Sequence, residues 1–376
     1  MNRASQLSVF ADSDPGNPIL LCDLLDELLS SGDIAQATAR IGMAPPALRE
    51  LPAVRFREAR CALLRGDAKT AIAQLQSLLT VMEDVPFGVV HDLAYAQLTE
   101  GQPDAALKTL AHAPAEGSDG VALALLKARI LHHQQQWRAA LDVLAPIADG
   151  ARLPEVQGLR ALLWLDVGDT NHASADAEAA LKADPDQREA GIVRGTLALW
   201  AQRLQESQDA FDRVLAKHAD TGRAWLGLGQ VLMLRGNIAG ARALLERASA
   251  RMPGHIGTWH ALAWCQLLQG DLAGAKRSFD RAFVIDRAFG ETHGGFALVH
   301  ALRAEREEAQ ASIKRATRLD PQGRAARYAQ SVLLLDEGRV EQARAIVDGI
   351  VAHTPGAPAV PADFIFTLRE LVRPKG

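Results

Sequence analysis

His132 and His133 are the pair most suggestive of a metal ion. Two imidazoles share an ion only when both face it, and neighbours on a helix diverge by about 100°. The pair is therefore not expected to bind metal. Glu307-Glu308 is the most obvious paired acid, but it lies in a charged helical stretch and suits a solvated surface. Cys22, Cys61 and Cys265 are odd in number and far apart, which gives neither a disulfide framework nor a CxxC knuckle. The sequence holds no phosphate loop, no dinucleotide-binding glycine fingerprint, no GxSxG and no HExxH. The expectation is a non-catalytic protein with no cofactor and no metal.

The composition points to the elements that must position whatever binding residues remain. Aromatic residues make up only 5% of the 376-residue chain, and Ala, Leu, Arg, Gln and Glu are abundant. These types lose little side-chain entropy in a helix, and period-two runs of β-branched residues are few. An all-α fold follows. The formal net charge is −4, with basic and acidic residues interspersed, so no basic face is expected for nucleic acid. The start of the chain has no apolar signal core, and no run of eighteen apolar residues occurs. No membrane insertion is expected, and the sparse cysteines suit a reducing, cytoplasmic location.

A small residue recurs at a fixed spacing. Ala37, Ala71, Ala106, Ala140, Ala173, Ser207, Ala241, Ala275, Ala309 and Ala343 are separated by 34, 35, 34 and 33 residues and then by 34 five times. Thirty-four residues are two helices of three to four turns with two tight turns. The small residue lies where the second helix crosses the first. Gly66-Asp67, Gly236-Asn237, Gly270-Asp271 and Gly338 precede it, since glycine supplies the left-handed backbone that ends a helix. Pro185, Pro253, Pro321 and Pro355 stop the second helix.

Residues 223–253 resemble a tetratricopeptide repeat through Trp225, Leu228, Gly229, Gly236, Ala241, Ala248 and Pro253. The next unit resembles it through Trp259, Leu262, Ala263, Gly270, Ala275, Phe279 and Ala282. Two further units keep Ala297, Ala309, Ala316 and Pro321, then Gly338, Ala343 and Pro355. The resemblance covers about 18–356 and is densest from the fifth repeat onward. It implies a right-handed superhelical α-solenoid of about ten tandem helix-turn-helix repeats. Residues 1–17 are expected to be a flexible lead-in, in which Leu7, Val9 and Phe10 could dock on the first repeat. The array spans 18–356, with a candidate hinge at 114–120. Residues 357–376 are expected to form a C-terminal capping helix and tail; folding into the groove or docking on a partner is the alternative.

In this family the concave groove is lined by the second, fifth, ninth, twelfth and thirteenth positions of each repeat. The resemblance thus implies a groove carrying His91, Tyr95, Arg129, His132, Thr196, Trp200, Gln230, Met233, His260, Trp264 and Leu298. Trp225 and Trp259 at the fourth position and Trp164 at the eleventh are expected in the core, and Trp137 in a packed turn. Few of the groove residues are charged, which suits an extended or amphipathic helical peptide held by apolar pockets. Leu226, Gln230 and His260 replace the Lys, Asn and Arg that clamp acidic chaperone tails. Val193, Gly227, Ala261 and Gly295 occupy positions of the asparagine ladder found in the O-linked sugar transferases. The expected function is a protein-interaction scaffold, adaptor or chaperone-like protein that takes a protein or peptide partner. The alternative is an assembly subunit of a secretion, pilus or envelope-polysaccharide machine, acting through its convex face, its ends or self-association.

Overall fold

All ten aligned small residues, from Ala37 to Ala343, have no exposed surface. Each lies on the second helix of a pair, where a larger side chain would force the helices apart. Ser207 fits because its hydroxyl donates to the Gly195 carbonyl oxygen at 2.8 Å. The backbone of the turn before each of them is equally regular. Gly32, Gly66, Gly101, Gln135, Gly168, Gln202, Gly236, Gly270, Ala304 and Gly338 all have positive φ. The next residue caps the second helix in several repeats: Asp33, Asp67, Asp169, Asn237 and Asp271 each accept a hydrogen bond from the backbone N–H three residues on.

The computed structural model describes residues 3–113, 120–148, 153–352 and 364–372. Most of the candidate hinge, 114–119, lies outside the described residues. All secondary structure among the described residues is helical, and the chain divides after Gly168 into two compact units.

The first unit opens with α1 (Arg3–Ser13). The pairs α2/α3 (Pro18–Ser30, Ile34–Met43), α5/α6 (Pro52–Leu64, Ala68–Val81), α7/α8 (Phe87–Thr99, Pro103–Leu110) and α9/α10 (Gly120–His133, Trp137–Ala148) follow. A single turn, α4 (Pro46–Arg49), precedes α5, and α11 (Pro154–Val167) closes the unit. Residues 3–13, expected as part of a flexible lead-in, are helical. Ala4, Leu7 and Ala11 pack on the Leu24-Leu25-Leu28 core, and Arg40 pairs with Asp12. Val9 and Phe10 point outward.

The second unit begins with α12 (Thr170–Ala183). Five pairs follow: α13/α14 (Arg188–Trp200, Leu204–Lys217), α15/α16 (Gly222–Leu234, Ile238–Arg251), α17/α18 (Ile256–Leu268, Leu272–Ile285), α19/α20 (Gly290–Leu302, Arg306–Leu319) and α21/α22 (Arg324–Asp336, Val340–Ala352). A nine-residue helix, α23 (Phe364–Val372), ends the described chain. Prolines at 185, 253 and 321 each lie two residues beyond a second helix, as their lost N–H requires. Buried phenylalanines set the spacing of neighbouring pairs. A Cβ on Gly227 would stand 2.2 Å from the Phe211 ring, and one on Gly295 would stand 2.4 Å from Phe279. Glycine at these positions lets the next first helix close onto the ring.

Candidate functional site

The first helices carry the predicted groove residues, and the structure treats them unequally. In the first unit Tyr95 is exposed on α7. His91, one turn earlier, is half-buried with its Nδ1 3.2 Å from Asp92 Oδ1, and its ring lies 5.5 Å from that of Phe87. His132 on α9 has its Nε2 2.6 Å from Asp166 Oδ2 on α11, and both side chains are largely covered. The geometry explains His132 as one half of a helix-to-helix pair. Arg129, one turn earlier on α9, is half-buried.

In the second unit α13 and α15 present the least covered stretch. Trp200, at the end of α13, is 49% exposed. Thr196 one turn before it returns its hydroxyl to the Ile192 carbonyl oxygen at 2.8 Å, and so adds no outward polar demand. Gln230 and Met233 on α15 are half-buried. These four residues lie at the ninth and thirteenth, and ninth and twelfth, positions of successive repeats. An exposed indole flanked by satisfied or flexible neighbours is the kind of large, rigid anchor that partner pockets accept.

Farther along, the same positions close. His260 on α17 is enclosed by Phe279 and Phe289, both edge-on at 5.4 and 5.3 Å, and its Nε2 lies 2.8 Å from Thr292 Oγ1. Burial pushes its imidazole down to about 4, so it is neutral near pH 7. Trp264 meets Tyr328 edge to face at 5.8 Å, and Leu298 has no exposed surface. The predicted groove residues His260, Trp264 and Leu298 thus make internal contacts.

The covering element is α23. Ile365 and Leu368 are buried in one cluster with Leu267, Leu298, Leu302, Tyr328 and Val332, and Trp264 packs against that cluster. Arg369 Nε lies 2.9 Å from Asp336 Oδ1 at the end of α21. Leu371 lies 3.5 Å from where a Cβ on Gly270 would be, just past the end of α17. The helix therefore runs over the first-helix side of the last three repeats. Of the cap and the groove-bound helix that the sequence allowed, its contacts with first-helix residues of these repeats favour the second. Tyr328, Leu302 and Asp336 were not among the predicted site residues. They fall at the fifth and thirteenth positions of their repeats, so extending the 34-residue register to 336 would have found them.

Of the tryptophans expected in the core, Trp225 is buried and Trp137, Trp164 and Trp259 are half-buried. Trp225 is buried beneath the Arg247 guanidinium, whose carbon is 3.2 Å from the ring centre. Trp259 is half-buried and donates to the Pro253 carbonyl oxygen at 2.9 Å. Trp164 and Trp137 pack on the core beside Leu144 and Leu159. Among the described residues no group of three His, Cys, Asp or Glu side chains is arranged to hold a metal, and no helix is long and apolar enough to cross a membrane.

Tetratricopeptide repeat sequence models match residues 192–255 and 297–358, and a second such model matches 232–288. The chain is a tetratricopeptide repeat protein. The matched residues are those in which the signature side chains are densest. None of the curated proteins matches the sequence significantly. A chain of the APC/C hetero-tetramer Cut9-Hcn1 aligns with 93% of this repeat protein and 75% of its own length, at TM-score 0.56 and 14% identity. Pseudomonas aeruginosa pilF covers 54% of this chain and 93% of its own, at TM-score 0.43 and 17% identity. YrrB, described as a TPR protein with an unusual peptide-binding site, covers 50% of this chain and 96% of its own, at TM-score 0.38 and 20% identity. At 14% identity the likeness to the Cut9-Hcn1 chain is one of fold alone.

Proposed function

We propose that this tetratricopeptide repeat protein is a non-catalytic scaffold or adaptor that captures a segment of a partner protein on the concave face of its first helices. The observation that carries this is the exposed Trp200 on α13, beside Thr196 and near the half-buried Gln230 and Met233 on α15. A surface indole gives large contact area at the cost of two torsions. Helix pairs locked by buried alanines and left-handed turns are already in their binding shape, so little ordering opposes association. Tyr95 offers a comparable exposed ring in the first unit, beside His91 and on the same kind of helix as Arg129 and His132.

A second reading rests on apolar side chains outside the first-helix positions. Val284 and Ile285 at the end of α18, and Phe289 in the turn that follows, are exposed. They suit contact with another subunit of an assembly or with a second copy. Affinity capture with wild type and Trp200→Ala, read by mass spectrometry, separates the two readings. Groove capture predicts a partner lost from the folded variant. A partner held equally by both moves the interface to surfaces such as Val284 and Phe289.

A further inference from the structure

The chain contains a bound helix whose chemistry can be read directly. α23 presents Ile365 and Leu368 three residues apart, hence on one face, and both are buried. Arg369 reaches Asp336, while Leu371, itself half-exposed, rests against the turn at Gly270. Thr367 and Glu370 point to solvent. Between Asp336 and Gly270 the helix crosses from the last repeat back to α17. The surface beneath it is apolar because Leu267, Leu298, Leu302 and Val332 occupy concave positions that a solvent-facing groove would fill with polar residues.

A helix of nine residues is not stable in water alone. α23 is therefore helical because it is docked, and docking is its only source of order. Residues 353–363 join it to α22 and include Pro355, Pro358 and Pro361. Covalent attachment through these eleven residues keeps the local concentration of α23 high. An external helix with matching side chains competes on the same contacts.

We propose that the concave face of α17, α19 and α21 is a binding site for a partner's short amphipathic helix carrying Ile-x-x-Leu-Arg-x-Leu, and that α23 fills it in cis. The site belongs to the groove-capture function proposed above but occupies a separate stretch from Trp200. Its side chains specify the ligand: two apolar residues three apart for the Leu298–Tyr328 surface, a cation for Asp336, and an apolar residue against the turn at Gly270.

The test uses the full-length chain and a fluorescent peptide of residues 361–376. Full-length Ile365→Asp/Leu368→Asp, whose own helix is released, binds this peptide at least roughly tenfold more tightly than wild type does. A designed alanine-rich helix that keeps only Ile, Leu, Arg and Leu at these spacings binds as well, and a version with the two leucines moved to the opposite face does not. A folded variant that binds the peptide no better than wild type, or that binds both designed helices alike, overturns the proposal. Should the double variant lose its helical circular dichroism, Asp336→Arg serves instead. It prefers a peptide carrying Arg369→Glu over the native peptide, and indifference between them overturns the proposal. Light scattering of wild type decides the other occupant: a dimer that exchanges α23 between copies overturns the partner-helix assignment. Trp200→Ala leaves the peptide titration unchanged, so failure of the affinity capture and failure of this site are separate results.

Discussion

Two stretches of the second unit have the same repeat, the same left-handed turns and a buried Ala or Ser at each crossing, yet their first-helix faces differ. On α13 and α15 the ninth, twelfth and thirteenth positions include Thr196, Trp200, Gln230 and Met233, all at least partly open to solvent, while Leu199 is buried. On α17, α19 and α21 the corresponding positions include Trp264, Leu267, Leu298, Leu302 and Val332, which share one apolar cluster with Ile365 and Leu368 of α23. The framework is equivalent in the two stretches, Ser207, Gln202 and Ala304 being its only exchanges, so it does not decide which is available. Occupancy is decided by five variable positions per repeat and by a helix attached some thirty residues farther on.

The largest expected effect separates the stretches by removing the cover. Ile365→Asp/Leu368→Asp gives up the burial of two full side chains, about 4 kcal/mol of local stability. Hydrogen exchange should quicken over α19 and α21 and remain unchanged over α13. Equal quickening throughout would mean that the two stretches are one cooperative unit.

Acid should loosen the filled stretch selectively. His260 ordinarily titrates near 6.5 and is held down to about 4 by burial, so protons bind the unfolded form preferentially between those values. The sign is a loss of stability as pH falls from about 6.5 toward 4, up to about 3 kcal/mol at 1.36 kcal/mol per unit. Urea unfolding at pH 7 and pH 4.5 should show the loss in wild type and a smaller one in His260→Gln.

The two groove tryptophans provide a more local contrast. Trp264→Ala removes the contact with Tyr328 and should cost about 2 kcal/mol of stability, below a full core truncation because the ring is only partly buried. Trp200→Ala should cost under about 0.5 kcal/mol of stability while weakening partner binding by about 2 kcal/mol. Thermal melts of both variants beside a binding titration check the pair. A Trp200 variant as unstable as the Trp264 variant would erase the distinction between an open and a closed groove.

The smallest effect concerns the turns, which should not depend on occupancy. Gln202 and Ala304 carry the left-handed backbone that glycine supplies in seven other repeats, one in each stretch. Gln202→Gly and Ala304→Gly should each stabilise by about 0.5–1 kcal/mol. Similar gains in denaturant midpoint from both sites would show that the turn energetics are uniform along the array.

The framework was legible in the sequence because its constraints are local and repeated. The spacing from Ala37 to Ala343 reflects a helix crossing that admits nothing larger than Ala or Ser, and it predicts the left-handed turns as well. Gln135, Gln202 and Ala304 hid three of those turns, since only their register with the glycines marks them. Helix α1 was harder to see because Ala4, Leu7 and Ala11 are too sparse and small to form an obvious apolar stripe. The site was legible in part. Register assigned both Trp200 and Trp264 to groove positions but says nothing of what covers either one. The apolar face of α23 suits a cap and a groove ligand equally well; Arg369 beside Asp336 and Leu371 beside Gly270 are long-range contacts with no local signature.

The most direct measurement is photo-crosslinking from α23 itself. Full-length chain carrying Leu371→p-benzoylphenylalanine is irradiated, digested and read by mass spectrometry. A helix lying along the concave side predicts an intrachain crosslink to the end of α17 around Gly270, where Leu371 stands 3.5 Å from the position of a Cβ. Crosslinks confined to α22, with none to the Gly270 region, would contradict the account and return α23 to the end of the array.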